Sequence, residues 1–409
     1  MRLAEVFKRA VGADAPIEFR AYDGSRAGVD GAPVRLQVRS PLALSYLASA
    51  PGELGLARAY VSGHLDIVGD MYTALSSMAT STLEKMPASV RAELMARLGW
   101  SRLWWPVGRP PAESRLRGKR HSKARDQQAI AHHYDVSNRF YEWVLGPSMA
   151  YTCAVYPTEE ATLEHAQWTK HDLVAGKLGL TEGMRLLDVG CGWGGMVMHA
   201  ARHYGVRALG VTLSRRQAEW AQKAIAEAGL SELAEVRHQD YRDVNESGFD
   251  AVSSIGLTEH IGKANLGDYF TSLYEKLRPG GRLLNHCITR PDNHQPARVG
   301  GFINRYVFPD GELEGPGTIL SAMHDAGFEV RHEENLREHY SRTLAGWCDN
   351  LDVHWDDAVR EVGEGRARVW RLYMAASRLG FDRNTVQLHQ ILGVRLDGTE
   401  SHMPLRPNW

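Results

Sequence analysis

Nowhere in the 409 residues does an uncharged apolar run approach the roughly 20 residues that span a bilayer. The N-terminal stretch MRLAEVFKRAVGADAPIEF has no apolar core of signal-peptide length, so the expectation is a cytoplasmic protein. Cysteine is scarce: Cys153, Cys191, Cys287 and Cys348 show neither CxxC spacing nor a paired framework, which predicts reduced thiols. Net charge is almost absent, at −1 with histidine neutral, so no global field draws the chain to nucleic acid and none is expected as a partner. Histidine is plentiful, but His132, His133 and His286 lack spaced companion ligands, and no metal site is expected. Fixed-period repeats and low-complexity tracts are also missing.

What remains is an ordinary folded composition, 43% apolar and 24% charged, in a chain longer than one core usually holds. Residues 1–97 alternate short apolar pieces with turn signals (AYDGSRAG, VDGAP, SAPGELG) and carry one helix through GLARAYVSG, which reads as a small α+β domain. Residues 98–125 read as a linker. With Arg97 included, this stretch has nine Arg or Lys against one acid, Glu113, together with Trp100, Trp104, Trp105 and Pro110-Pro111. Tryptophans beside cations suit an anionic membrane surface, and the alternative is a solvated linker with its tryptophans packed on a neighbouring domain. From 126 to 409, strand-like RLLDVG, RALGVTL, AEVRHQD, FDAVSSIG and GRLLNHCIT alternate with helix-like AQWTKHDLVAGKLG, RRQAEWAQKAIAEAG and LGDYFTSLYEKLRPGG, each helix closed by a glycine at its C-cap. Such alternation predicts an α/β domain with a mostly parallel, doubly wound sheet.

The stretch LLDVGCGWGG runs a short apolar strand into Asp188 and then a glycine turn through Gly190, Gly192, Trp193 and Gly194. Glycines there let backbone lie close to a nucleotide, but the pattern alone does not name it. The spacing is G-x-G-x-G-G, an acid precedes the turn, and the next strand ends in hydroxyls instead of the ribose-gripping acid of a dinucleotide site. Thr212, Ser214 and Gln217 follow that strand and can bond sugar or amino-acid groups; Asp240 and Tyr241 follow a later one, suited to an adenine amine and ring. This order resembles that of class I methyltransferases dependent on S-adenosylmethionine (SAM). The implied fold is a Rossmann-like methyltransferase sheet with a smaller N-terminal α+β domain.

The acceptor is read elsewhere. HHYDVSNRFYEWVLGPSMAYTCAVYP (132–157), GVTLSRRQ, DYRD, TEHIG (258–262), INRYVFPDGEL (303–313) and QLHQ (387–390) occur in the order of the cyclopropane-fatty-acyl-phospholipid synthase family, which includes the mycolic acid cyclopropane synthases. The resemblance covers about 130–395, and GLARAYVSGHLD is similar to the N-terminal domain of the phospholipid-acting members. It implies methyl transfer from SAM to a double bond of an unsaturated phospholipid, leaving a carbocation whose new methyl group must lose a proton to close the ring. That chemistry needs a base and a dry pocket. In the family the base resembles a bound bicarbonate, and the resemblance places its holders at Glu259, His286, Tyr340 and Cys153, with Ile288 supplying backbone contact. SAM contacts carry over to Tyr151, Thr152, the stretch from Asp188 to Gly194, Thr212 to Gln217, Asp240 and Tyr241. A peripheral, membrane-docked enzyme and a homodimer are implied in the same way.

Each residue also has a plainer reading: Glu259 as a helix cap, His286 as a satisfied interior histidine, Cys153 as packing. There are departures as well. Ser377 stands where the family has a C-terminal cysteine, which argues against a covalent thiol step. Thr258 stands where an aromatic is common, and LLNHC differs just before the histidine. Other outcomes stay open: a methylene-branched product needing a separate reductase, a methyltransferase for a soluble small molecule, or a lipid-binding scaffold with a vestigial SAM fold.

Overall fold

The computed structural model describes every residue except 1, 13–15, 51, 80–106, 115–117, 135–136 and 297. Trp100, Trp104 and Trp105 lie outside the described residues, and the membrane reading of the basic stretch rests partly on them. The chain forms two compact units. The first comprises Met1–Ser114, Gly300–Val307 and Leu351–Leu379; the second comprises Arg115–Val299, Phe308–Asn350 and Gly380–Trp409. This differs from the division at 97 and 125: two segments expected in the catalytic domain join the N-terminal residues, and the end of the expected linker joins the catalytic unit.

In the first unit, strands β1 (Glu18–Ala21), β2 (Arg26–Gly28), β3 (Arg35–Val38) and β4 (Leu65–Val68) form a sheet in the order β2-β1-β3-β4. Two part-buried ion pairs explain why distant segments belong to it. Glu113, the lone acid of the basic stretch, is 3% exposed and accepts two bonds from Arg58, at 2.9 and 2.8 Å. Arg368, from the helix Glu364–Asp382, donates to Tyr60 O and to Asp66 Oδ1, each at 3.2 Å. A buried charge left alone costs several kcal/mol, so these cations and acids hold their segments together.

The second unit carries a seven-stranded sheet: β5 (Arg185–Val189), β6 (Arg207–Thr212), β7 (Ala234–His238), β8 (Phe249–Ile255), β9 (Leu277–Thr289), β10 (Glu329–Asn335) and β11 (Gln387–Val394), in the order β10-β11-β9-β8-β5-β6-β7. β5 to β9 are parallel, and β11 lies antiparallel between β9 and β10. Both faces are apolar by the strand's period of two. Leu186, Ala208, Ala251 and Leu284 pack on one side with the helices Leu163–Leu178, Gly195–Tyr204 and Arg215–Glu227. Leu187, Leu209, Val252 and Leu283 pack on the other with Leu266–Lys276 and Pro316–Asp325.

The Leu163–Leu178 helix starts at Thr162, whose side chain accepts from His165 N, and stops at Gly179 in the left-handed region (φ 66°). The third expected helix differs. It ends at Lys276, and Pro279, Gly280 and Gly281 belong to β9 instead of forming a cap, because the residue before a proline avoids helix. Strand order reverses between β5 and β8, so a crevice opens beyond their carboxyl ends.

Candidate active site

At that crevice β5 delivers Asp188 and then the glycine turn. Gly190, Gly192 and Gly194 all have positive φ, at 72°, 56° and 80°, so only glycine makes the turn without strain. A Cβ on Gly192 would meet nothing within 4 Å, so this edge of the turn faces open space. The space is a cleft of about 1230 Å³, counting open solvent at its mouth.

Tyr151, Thr152, Asp188, Gly190, Gly192, Trp193, Thr212, Gln217 and Tyr241 all line it. Thr212 Oγ1 donates to Gln217 Oε1 at 2.8 Å, orienting that amide so that Nε2 is its remaining donor group. Trp193 is fixed by its Nε1–H bond to Asn138 Oδ1, 3.0 Å. Three expected ligand residues do not line the cleft. Gly194 packs against Ala221 and Val236 beneath the turn. Ser214 is 1% exposed and its hydroxyl caps the next helix by accepting from Gln217 N. Asp240 accepts from Arg242 through both carboxylate oxygens, at 2.8 and 2.6 Å, while its neighbours Gln239 and Tyr241 line the cleft.

Sequence reasoning missed Lys170 and His171, which also line the cleft. Lys170 is 1% exposed; its Nζ lies 3.1 Å from Thr152 Oγ1 and 2.9 Å from His171 Nε2. Burial lowers the Lys170 pKa to about 8 and raises that of Asp188 to about 7, each partly offset by the other's charge. Ser253 donates to Asp188 Oδ1 at 2.6 Å. The signal was present in HAQWTKHDLVAGKL: Gln167, Lys170, His171 and Lys177 occupy the same 3.6-period face as Ala166, Val174 and Leu178. Polar residues at core spacing point to a site.

The basic segment closes another side. His121 and Asp126 line the cleft, and the segment is tied down by charge. Arg120 and Arg125 both reach Asp310, at 2.8 and 2.5 Å, and Asp126 pairs with Arg242 at 3.0 Å. These two arginines, counted in the sequence toward a lipid-facing patch, are committed to a partner nearly two hundred residues away.

The residues expected on the acceptor side do not line this cleft, and Glu259 and Ile288 line a smaller cavity with Thr258, Glu312 and Glu314. Gly256 N donates to His286 O at 2.8 Å, which ties the end of β8 to β9. Glu259, just past β8, accepts from Ile288 N at 2.7 Å. Ile288 thus holds the carboxylate through its amide and does not offer that N–H elsewhere. The other oxygen, Glu259 Oε2, is enclosed and has no protein partner, although the residue as a whole keeps some exposed surface. Burial raises the carboxyl pKa from 4.5 to about 7. His286, 1% exposed, lies one strand repeat before Ile288 on the same face of β9; its Nε2 is buried and likewise unpartnered. Burial, then the charges of Lys170 and Lys177, hold its pKa well below the ordinary range.

Cys153 is fully enclosed; its thiol donates to Ala154 O at 3.2 Å, and burial pushes its pKa far up, so it stays protonated. Tyr340 stands on the helix Arg337–Val353, and the same helix supplies Thr343, whose hydroxyl accepts from Ala154 N at 3.0 Å. The Trp347 ring connects Tyr340 (6.1 Å) with Tyr151 (5.2 Å). Ser377 sits on Glu364–Asp382 in the first unit.

Residues 121–391 match the family described as mycolic acid cyclopropane synthetase. The chain belongs to this family. It is 57% identical to a probable fatty acid methyltransferase of Mycobacterium tuberculosis, over 96% of this chain and 95% of that protein, and 37% identical to a probable fatty acid methyltransferase of Pseudomonas putida, over 93% and 92%. Among solved structures, the mycolic acid cyclopropane synthase CmaA1 complexed with SAH and CTAB matches with TM-score 0.63 at 30% identity, over 66% of this chain and 98% of that one. The cyclopropane synthase MmaA2 from Mycobacterium tuberculosis matches with TM-score 0.62 at 32% identity, over 67% and 99%.

This member of the cyclopropane synthetase family is therefore a SAM-dependent methyltransferase. Its residues fit that donor: the glycine edge is open, a buried acid and a buried cation flank the turn, and Thr212, Gln217 and Tyr241 line the cleft. Among the described residues no helix is long and apolar enough to cross a membrane.

Proposed function

We propose that the protein methylates the cis double bond of an unsaturated phospholipid acyl chain and closes the product to a cyclopropane, with bicarbonate as the proton acceptor. SAM, when bound, supplies an electrophilic methyl group. The chain's residues do the rest: Asp188, Thr212 and Gln217 hold the donor, while the buried surroundings keep water from the cation formed on the acyl chain. One proton must then leave the new methyl carbon.

The observations that carry this reading are two enclosed polar atoms without a protein partner: Glu259 Oε2, whose carboxylate accepts from Ile288 N, and His286 Nε2, two residues before Ile288 on β9. Buried polar atoms are almost always satisfied, so each of these favours a small polar ligand. A neutral His286 presents a donor to an oxyanion, and a Glu259 carboxyl that holds its proton near pH 7 tolerates an anion beside it. Glu259, His286, Tyr340 and Cys153 are the residues that would hold bicarbonate. The protonated Cys153 thiol supports a role without covalent chemistry.

A second reading keeps the donor and changes the ending. The two relatives quoted above are named probable fatty acid methyltransferases, a name equally compatible with a methylene-branched chain for later reduction. The test is incubation with SAM and oleoyl phospholipid vesicles, with and without bicarbonate, followed by proton NMR of the released chain. The proposal expects upfield ring protons and turnover that falls when bicarbonate is removed. Vinylidene protons would establish the second reading, and turnover of a soluble acceptor without lipid would overturn both.

A further inference from the structure

We propose that Gln390 is a positioning residue that fixes which nitrogen of His286 carries the proton, so that His286 presents an Nε2–H donor to the reaction site. This deepens the reading above and rests on His286 serving the proton acceptor.

β11 runs antiparallel to β9 and sets Gln390 directly opposite His286. Both side chains are buried, at 0% and 1% exposure. Lys177, from the helix Leu163–Leu178, places its Nζ 2.7 Å from Gln390 Oε1. An ammonium can only donate, so Oε1 must be the acceptor and the amide cannot be flipped. Gln390 Nε2 is therefore the donor, and it lies 3.2 Å from His286 Nδ1. A neutral imidazole has one N–H and one bare nitrogen. Nδ1 accepts, so the proton sits on Nε2, the enclosed atom without a protein partner.

The origin of this order lies one strand further out. β10 pairs Glu334 opposite Gln390, and Glu334 Oε2 accepts from Lys177 Nζ at 2.5 Å. Glu334 thus holds Lys177 as a cation, Lys177 sets the amide, and the amide sets the imidazole. The charged and titratable groups near His286 are Lys170, His171 and Lys177 from the helix and Glu334 from β10; Lys170 and Lys177 both oppose a second proton on the ring. The opposite tautomer would turn a lone pair toward the oxyanion and lose the donor.

The direct test reads the proton itself. Protein labelled with ¹⁵N-histidine, with the His286 signal identified by its loss in His286→Gln, should show a protonated Nε2 and a bare Nδ1. In Gln390→Glu a carboxylate still accepts from Lys177 but now also accepts from the ring, so the proton should move to Nδ1. The wild type should show no histidine limb in its pH–rate profile near neutrality. Gln390→Glu should lose roughly 10- to 100-fold in kcat near pH 8, with KM for SAM little changed, and recover as acid restores the second N–H. A Gln390→Asn variant, which keeps a donor amide, should retain more activity than Gln390→Glu at pH 8.

A bare Nε2 in the wild type overturns the proposal without reference to any variant's folding. So does a Gln390→Glu enzyme with the wild-type tautomer and pH profile. A switched tautomer with unchanged kcat would instead overturn the reading of His286 as a holder of the proton acceptor, leaving the tautomer assignment standing.

Discussion

Replacing Glu259 by Gln removes an acid whose ionisation the fold opposes, and it should raise stability while abolishing turnover. The carboxyl pKa rises from 4.5 to about 7 because burial penalises the charged form, with the Ile288 amide only partly offsetting it. Between those values the folded chain holds a proton that the unfolded chain has released. Wild-type stability is therefore full below about pH 4.5 and falls as pH climbs through 7. At 1.36 kcal/mol per pH unit this amounts to about 3 kcal/mol by pH 8. Gln has no such titration, and its amide oxygen can still accept from Ile288 N.

Glu259→Gln should thus match the wild type in stability near pH 4.5 and exceed it by up to about 3 kcal/mol at pH 8. Paired urea titrations at several pH values, without bicarbonate, measure the gap. Turnover should drop by at least a hundredfold, about 2.7 kcal/mol or more in barrier, while calorimetric SAM affinity stays within about threefold. A variant less stable than wild type at pH 8, or a gap that does not widen with pH, would refute the burial argument. Equal losses of turnover and SAM affinity would refute the role.

Three other perturbations separate the parts of the site. Asp310→Ala removes the shared partner of Arg120 and Arg125; releasing the segment at the cleft should raise KM for SAM several-fold, checked by steady-state kinetics, with kcat changed less. At Gly262 a Cβ would fall 2.5 Å from the His121 ring, so Gly262→Val should displace the same segment and lower SAM affinity by calorimetry, whereas Gly267→Ala, where a Cβ meets nothing within 4 Å, should not. Cys153→Ser keeps a small donor beside Ala154 O and should retain most of its turnover, because the buried thiol is protonated and forms no bond to substrate.

Much of the donor half was legible in the sequence because it is local. Asp188, the glycine turn and Thr212 to Gln217 follow strand ends directly, and period and turn chemistry locate strand ends. The sequence says least where a partner lies far along the chain or where a side chain is bonded by a near neighbour. Asp240 was read for adenine alone, whereas Arg242 two residues on also bonds both its oxygens. Arg120 and Arg125 looked like surface charge until Asp310 answered them. Arg368 drew its helix to Asp66, a pairing that spacing cannot reveal. β11 was visible only as the motif QLHQ, since an antiparallel strand inserted between β9 and β10 follows from no alternation of strand and helix. That strand brings Gln390 to His286, so the part of the site hardest to read was the part assembled from four separate elements.

The most direct measurement of the central claim follows the transferred carbon. Protein supplied with SAM labelled at the methyl with ¹³C, oleoyl phospholipid vesicles and bicarbonate should yield acyl chains whose label appears in a cyclopropane CH₂. Label in a vinylidene carbon would contradict ring closure, and label confined to soluble products, or none in the lipid, would contradict the lipid acceptor itself.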